Sequence, residues 1–372
     1  MTRIYLIRHA EAEGNLYRIA QGQDNSNLTD RGWRQVAALQ RRFADVQIDA
    51  VYSSDLYRTC ATASSIYKTK GLPLHRLKAL REICIGNWEK RTWGDIYRYW
   101  PEQIGYFSKD PAKWYADGAE RLEDVIERVR QTVKTLAAKH DGETIALFSH
   151  GYAIRLLLGT LQGYPLERMG ESPTGDNTAV SCLEADGDTL RVVFRDDNSH
   201  LKTPEYLAEE KVFKRSIAME PGLYFEEPEN PKDEELFAAL AEEFWQDAGR
   251  KEPFDAERLL RDAREQRTLI GYRAGEAVGV VQFGQETGRI TLMGIRKKFR
   301  KQGFGAQLIG QAVQYWRPKG AETLRVMLPE HCVDAAFFGD YGFSVSETPE
   351  GGWMILEKHI GFDPQFLGES ED

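Results

Sequence analysis

The sequence predicts two domains in tandem: an N-terminal three-layer α/β/α domain with a mainly parallel sheet, and a C-terminal α+β domain with a mixed sheet. Three observations predict this. The chain has 372 residues, enough for two or three domains at about 150 residues each. Up to about Leu201, short apolar runs alternate with amphipathic helical segments, which implies crossover-linked parallel strands covered on both faces. After a stretch rich in proline and acid, residues 203–232, the order changes to two helices and then three consecutive strands.

The elements follow in order. Arg3, Ile4, Tyr5, Leu6 and Ile7 form a buried strand, and Thr29 caps a helix carrying Trp33, Val36, Leu39 and Phe43 on one side. Residues 49–53 read as a second strand, followed by a helix over 57–67. Leu122, Val125, Ile126, Val129, Val133 and Leu136 recur on one helical face. Residues 144–148 are a buried strand, with a helix after Gly151. In the second half, helices are expected over 233–246 and 255–265, and strands over 268–274, 277–284 and 289–296. Gly275-Glu276 is expected as the two-residue hairpin turn between the first two of those strands. A helix carrying Leu308, Ile309, Ala312, Val313 and Trp316 follows, then a strand over 323–328. The end, Glu369-Ser370-Glu371-Asp372, reads as a frayed tail.

Composition excludes several classes. Hydrophobic residues make up 41% and charged residues 29%, an ordinary globular balance rather than that of a disordered chain. A net charge of −9 opposes non-specific binding to nucleic acid or anionic membrane, because phosphates repel it. No segment approaches the roughly 20 apolar residues needed to span a bilayer. The first ten residues, broken by Arg8 and His9, do not read as a signal peptide, so a cytoplasmic protein is expected. Cys60, Cys84, Cys182 and Cys332 are scattered without CxxC spacing and read as reduced thiols, not metal ligands.

In parallel sheets, ligands bind beyond the carboxyl ends of the strands. The first strand ends in Arg8-His9, the second runs through Ser53-Ser54-Asp55 to Arg58, and the strand over 144–148 ends in Ser149-His150-Gly151. Two histidines and two arginines are thereby aimed at one crevice. Arginine forks match phosphate oxygens. One imidazole can attack phosphorus while the other serves as a cationic donor. The proton donor for the leaving oxygen is Glu82, Glu11 or Glu13, and composition does not choose among them.

These residues carry a family resemblance. Arg8-His9-Ala10-Glu11 with Asn15, the segment from Ser53 through Arg58 to Ala63, Leu80-Arg81-Glu82 through Gly86-Asn87-Trp88-Glu89, and Ser149-His150-Gly151 occur in the order of the histidine phosphatase (phosphoglycerate mutase-like) superfamily, over about residues 1–205. The resemblance implies His9 as the nucleophile that becomes phosphohistidine. It implies Arg8, Arg58, His150 and Asn15 as phosphate ligands, and Glu82 as the acid that then activates water. It implies no metal, since fixed cations supply the charge stabilisation. Ala10 and Lys90 stand where that family has glycine. The stretch after Glu82 resembles the phosphatase branch more than the mutase branch, so a phosphatase is expected, with a phosphoglycerate-type mutase as the alternative. Trp88, Trp93, Trp100 and Trp114 are expected to pack a lid, and His75, His140, His200 and His359 to be surface or packing residues.

The second half holds its own basic site. Arg296, Lys297, Lys298, Arg300 and Lys301 surround Gly303 and Gly305 at a helix start, where free N–H groups and close backbone approach suit a pyrophosphate. Arg300-Lys301-Gln302-Gly303-Phe304-Gly305 after a strand, and Phe337-Phe338-Gly339-Asp340-Tyr341-Gly342-Phe343 further on, resemble GNAT-type N-acetyltransferases over about residues 217–358. That resemblance implies acetyl-CoA as co-substrate, held by Ile295, Arg300, Lys301, Gln302, Gly303, Phe304, Gly305 and Ala306, and an amine acceptor that the sequence does not name. Phe338 falls where relatives carry a tyrosine acid and His331 where asparagine is common. Tyr341 and Glu286 are the remaining acid and base candidates.

The expected organisation is a phosphoglycerate-mutase-like domain over 1–205, a linker over 206–216, a GNAT-like acetyltransferase domain over 217–358 and a tail over 359–372. The expected function is a bifunctional enzyme: a metal-independent phosphatase acting on a small phosphorylated metabolite, joined to an acetyltransferase. The alternative is a phosphatase regulated by an acetyl-CoA-sensing module.

Overall fold

The computed structural model describes residues 1–212, 222–247, 253–330, 332, 334–349 and 352–371. The N-terminal domain runs β1 (Thr2–Arg8), α1 (Glu13–Tyr17), α2 (Asp30–Arg42), β2 (Ala50–Ser53), α3 (Tyr57–Lys70), β3 (Leu74–Arg76), α4 (Trp93–Tyr99), α5 (Pro101–Lys109), α6 (Leu122–Lys139), β4 (Thr144–Ser149), α7 (Gly151–Leu161), β5 (Val180–Asp186), β6 (Thr189–Asp197) and α8 (Pro204–Val212). The second domain runs β7 (Tyr224–Glu226), α9 (Pro231–Asp247), α10 (Ala256–Glu265), β8 (Thr268–Arg273), β9 (Glu276–Phe283), β10 (Arg289–Ile295), α11 (Phe304–Trp316), β11 (Thr323–Pro329), α12 (Ala335–Asp340), β12 (Ser344–Glu347) and β13 (Trp353–His359).

The first sheet has the order β3-β2-β4-β1-β5-β6, parallel through β1 and antiparallel at β5 and β6. Its centre is the near-continuous apolar run of β1 and β4, buried between α6 and α7 on one side and α2 and α3 on the other. Thr29 caps α2 as expected, its hydroxyl accepting the Gly32 N–H at 3.0 Å. Trp88 and Trp114 are buried, and with Trp93, Trp100 and Phe107 they form the packing under α4 and α5. The second sheet has the order β12-β13-β11-β10-β9-β8-β7.

Three expectations need correction. The predicted linker, 206–216, is helical through Val212: Tyr206 is buried and Glu210 pairs with Arg31 and Arg34 of α2. Residues 213–216 lie outside the described residues. The hairpin turn is Ala274-Gly275, not Gly275-Glu276. Both turn residues have positive φ (49° and 85°), as a two-residue turn matched to strand twist requires, and Arg273 pairs with Glu276. The C-terminal segment is docked rather than frayed. Ile360 and Phe366 are buried, Phe366 lies edge-on to Tyr57 with ring centroids 5.7 Å apart, and Glu371 donates its N–H to Arg76 O at 2.8 Å.

The two domains share a core. Tyr17 and Ile19 of the first domain join Leu308, Ile309, Ala312 and Leu324 of the second in one apolar cluster. Arg317 donates to both oxygens of Glu13 at 3.0 and 2.8 Å and to Ile360 O at 2.6 Å.

Candidate active site

The parallel strands β2, β4 and β1 are adjacent, and each leads to a predicted site residue at or beyond its carboxyl end. Arg8 closes β1 with His9 beside it, Arg58 is the second residue of α3, and His150 is the N-cap of α7. His9, Arg58 and His150 are 3%, 1% and 0% exposed, so the site lies within the fold. The rings of His9 and His150 are 5.3 Å apart.

His9 Nδ1 lies 2.7 Å from the Ala10 carbonyl, which can only accept, so Nδ1 carries the proton and Nε2 keeps its lone pair. Burial lowers the basicity of His9 well below the usual histidine range, and the Arg58 and Arg8 charges lower it further. The ring is thus neutral, the form a nucleophile needs. His150 is lowered in the same way, first by burial and then by Arg58. The expected cationic second histidine is therefore neutral before an anion arrives. His150 Nε2 is 2.8 Å from Ser54 Oγ, and its Nδ1 is buried without a partner among the described residues.

The arginines are fixed by backbone carbonyls. Arg58 donates to Asp24 O at 2.7 Å and Gly22 O at 2.8 Å, and Arg8 donates to Gly175 O at 2.5 Å. Both Nε atoms are buried without a partner among the described residues. Burial lowers Arg58 to about 10 and lowers Arg8 as well, against the opposing pull of Glu82 on both. Two buried donors with no partner among the described residues, Arg8 Nε and Arg58 Nε, beside the open ring nitrogen Nδ1 of His150 and a neutral imidazole describe a receptor for an anion.

Glu82 is held by the start of α7. Its carboxylate accepts from Tyr152 N at 3.1 Å and Ala153 N at 2.8 Å, and from Ile83 N at 3.1 Å. The other two acid candidates are engaged elsewhere: Glu11 with Arg31 and Thr29, Glu13 with Arg317. Asn15 Oδ1 accepts the Ala12 N–H at 3.0 Å and an Asn177 amide N–H at 3.4 Å. That leaves the Asn15 amide donors as the end suited to an oxyanion.

The two departures from the family pattern have local explanations. Ala10 is fully buried in an apolar cluster with Ala12, Tyr57 and Phe366. Lys90 has φ +67°, the left-handed backbone that glycine favours, and pairs with Asp24 at 3.1 Å on the surface.

Sequence reasoning missed Ser54, Asn177 and Thr178. Asn177 Nδ2 donates to His9 O at 3.0 Å and Thr178 N donates to the same carbonyl at 3.2 Å. The available signal was topological. Because β5 runs antiparallel to β1, the loop before β5 must lie at the same sheet edge as the end of β1. His200, expected as surface or packing, is buried behind that loop.

In the second domain, Gly303 is the N-cap of α11 with φ +84°. A Cβ on Gly305 would sit 2.6 Å from the Phe337 ring. Strands β10 and β11 pair only at Arg289–Arg325 and Ile290–Val326 and then diverge. The gap opens into a groove of about 2120 Å³ lined by Ile295, Arg300, Lys301, Gly303, Phe304 and Gly305. A close-approach glycine turn, the orphan N–H groups of a thirteen-residue helix and a cleft between splayed strands fit an acyl-CoA thioester. Gln302 donates to Lys298 O at 3.0 Å and Ala306 is buried within α11, so these two shape the loop.

Most of the expected cationic ring is neutralised. Arg296 pairs with Glu243, Lys298 with Glu276, and Arg300 with Asp247 while also donating to Ile295 O. Among the described residues Lys297 and Lys301 are in no ion pair, and Lys301 lines the groove. Phe338 is buried against Phe343, Tyr341 lines the groove beside Phe337, and Glu286 is exposed and paired with Arg289 at the opposite end of β10. His331 lies outside the described residues.

Comparison with known proteins finds a family for each half of the chain. The family model "Histidine phosphatase superfamily (branch 1)" matches residues 4–198, and "Acetyltransferase (GNAT) domain" matches residues 230–352. Phosphoserine phosphatase 1 of Hydrogenobacter thermophilus is 29% identical over 168 residues, 45% of this chain and 80% of that protein. A probable phosphoglycerate mutase GpmB of Salmonella choleraesuis is 31% identical over 168 residues, 44% of this chain and 77% of that protein. The solved structure of Bacillus stearothermophilus YhfR superposes with a TM-score of 0.53 at 31% identity, covering 54% of this chain and all of its own. The chain therefore belongs to the histidine phosphatase superfamily, branch 1, and carries a GNAT acetyltransferase domain behind its phosphatase domain.

Proposed function

We propose that the N-terminal domain hydrolyses a small phosphate monoester through a phosphohistidine on His9, and that the C-terminal domain uses acetyl-CoA to acetylate an amine. The observation that carries the first half is the neutral His9 ring, with Nε2 bare, beside two buried arginine donors, Arg8 Nε and Arg58 Nε, that have no partner among the described residues.

In the first step the Nε2 lone pair of His9 forms a bond to phosphorus and the ester P–O bond breaks. Glu82, entering as the acid, gives its proton to the departing alcohol oxygen. In the second step Glu82 takes a proton from water, the water oxygen bonds to phosphorus, and the P–N electron pair returns to His9, releasing inorganic phosphate. Arg8, Arg58 and His150 hold the phosphoryl oxygens throughout, so the chain itself supplies the charge stabilisation.

In the second domain bound acetyl-CoA would supply an activated acetyl thioester. Lys301 and the backbone from Gln302 to Gly305 would hold its pyrophosphate, and the β10–β11 gap would orient the acyl end. A second reading, that this domain senses acetyl-CoA and tunes the phosphatase, is favoured by two observations. Phe338 offers no proton donor, and α11 packs directly on α1, which carries Asn15.

The test uses p-nitrophenyl phosphate and phosphoserine, the latter suggested by the Hydrogenobacter relative's name. The unaltered protein should release phosphate and trap an acid-labile phosphoryl group, and His9→Ala should abolish both. Undiminished hydrolysis by His9→Ala refutes the phosphatase half. Acetyl-CoA binding by calorimetry should be lost in Gly305→Val, and absence of binding by the unaltered protein refutes the other half.

A further inference from the structure

We propose that His200 is a positioning residue for the phosphatase site: through Thr178 and Asn177 it fixes the main chain of the nucleophile His9. The proposal rests on the phosphohistidine reading above but concerns residues outside the catalytic set.

The donor directions can be followed one group at a time. Arg42 of α2 lies 3.1 Å from His200 Nδ1, and a guanidinium only donates, so Nδ1 accepts. The ring proton is therefore on Nε2, which lies 3.0 Å from Thr178 Oγ1 and donates to it. Thr178 Oγ1 in turn donates to Asn177 O at 2.6 Å. Arg42 is anchored by Asp197, to its carbonyl at 3.0 Å and its carboxylate at 2.6 Å. Every group along this path is satisfied in one direction, from a surface ion pair to the site wall.

The wall needs such a hold. Thr178 has φ +62°, a left-handed backbone that a β-branched residue adopts only when its surroundings impose it. That conformation turns the Thr178 N–H onto the His9 carbonyl, where the Asn177 amide also arrives. Asn177 reaches Asn15 as well, so one loop sets both the nucleophile and a predicted phosphate ligand. Thr178 is fully buried and His200 nearly so, which keeps water from replacing either bond. If the ring N–H is lost, Thr178 can relax from positive φ and His9 loses two main-chain bonds at once.

Glutamine can mimic the ring at this position: its Nε2 donates as the ring Nε2 does, and its Oε1 can accept from Arg42. Leucine fills the space and does neither. His200→Leu should lower kcat for p-nitrophenyl phosphate about tenfold to a hundredfold, in the range a small misplacement of a reacting group causes. KM should change far less. His200→Gln should restore most of the rate. In a Thr178→Gly background, where glycine holds positive φ unaided, the further change His200→Leu should have little effect.

Vanadate affinity is measured on the same set by calorimetry, and thermal unfolding checks that each variant is folded. Equal loss in His200→Gln and His200→Leu, or an undiminished effect of His200→Leu in the Thr178→Gly background, overturns the proposal. If the unaltered protein binds vanadate but turns over no ester, the phosphatase reading fails instead. The vanadate affinities of the four variants then decide whether His200 sets the anion site.

Discussion

At the scale of single residues, burial decides the protonation of the site. His9, His150 and His200 each have basicity depressed by desolvation first, with Arg58 acting on the first two and Arg42 on the third. His200 also faces Asp197, whose charge pulls the other way, and still lies at about 4. In the unfolded chain each ring titrates near about 6.5. Between that value and the lower native one, the unfolded chain binds more protons. The stabilisation is therefore full above about pH 6.5 and is lost as pH falls toward the native value. One such ring gives a slope of about 1.4 kcal/mol per pH unit across its window. Urea unfolding of His200→Gln between pH 6.5 and 4.5 should show a pH slope shallower by about that amount. A slope equal to that of the unaltered protein would mean that native His200 takes up its proton across this window as the unfolded ring does, and that its basicity is not depressed by the fold.

At the scale of elements, the C-terminal segment does the least expected work. Phe366 is buried against Tyr57 and Trp33, and Tyr57 precedes Arg58 at the start of α3. Phe366→Ala should lower the unfolding free energy by about 3–5 kcal/mol, the cost of a large buried ring, unless the segment undocks first and caps the loss. Hydrogen exchange over residues 360–371 distinguishes the two, since undocking exposes those amides while α3 stays protected. The sequence hid this docking for a physical reason. Phe362 and Phe366 are isolated apolar residues in a polar segment, and only the surface they meet gives them a partner. By contrast β1, β2, β4, α2 and α6 were legible, because each buries one face or a continuous run whose period appears in the chain itself. The proposed site residues Arg8, His9, Arg58 and His150 were legible for a related reason: they sit at or just after strand ends, which are readable, whereas Glu82 lies in a loop beyond β3 and was singled out only by the family resemblance. Asn177, Thr178 and Ser54 were not. Their roles come from a loop whose place depends on β5 pairing antiparallel with β1, a long-range fact that no local period records. Lys90 and Ala274 mark the same limit, since their positive φ values are imposed by tertiary context on residues that do not advertise a turn.

At the scale of the whole molecule, the two domains are joined by more than a linker. The short helix α1 lies between the sites. One side carries Asn15, bonded toward Asn177, and the other carries Tyr17, packed into the core of the second domain. A Cβ on Gly310 of α11 would sit 2.5 Å from Tyr17 Cβ, so α1 and α11 meet with no space to spare. Further bonds tie the two domains: Thr92 Oγ1 donates to Leu223 O at 2.7 Å, and Gln314 donates to Lys90 O at 2.9 Å. The start of α11 is the glycine turn proposed to hold acetyl-CoA. An anion that fixes that turn therefore also fixes the helix against which α1 rests. Any coupling between the sites must be reciprocal in binding free energy. Saturating vanadate should change the affinity for acetyl-CoA by some factor, about fivefold or more if the coupling is typical, and acetyl-CoA should change vanadate affinity by the same factor. Gly310→Ala forces α1 and α11 apart and should reduce that factor toward one, even though residue 310 touches neither site. Two calorimetric titrations in each order, on the unaltered protein and on Gly310→Ala, decide it. A factor of one in the unaltered protein would leave two independent enzymes on a shared core. A factor that survives Gly310→Ala would route the coupling elsewhere, through Arg317 and Glu13.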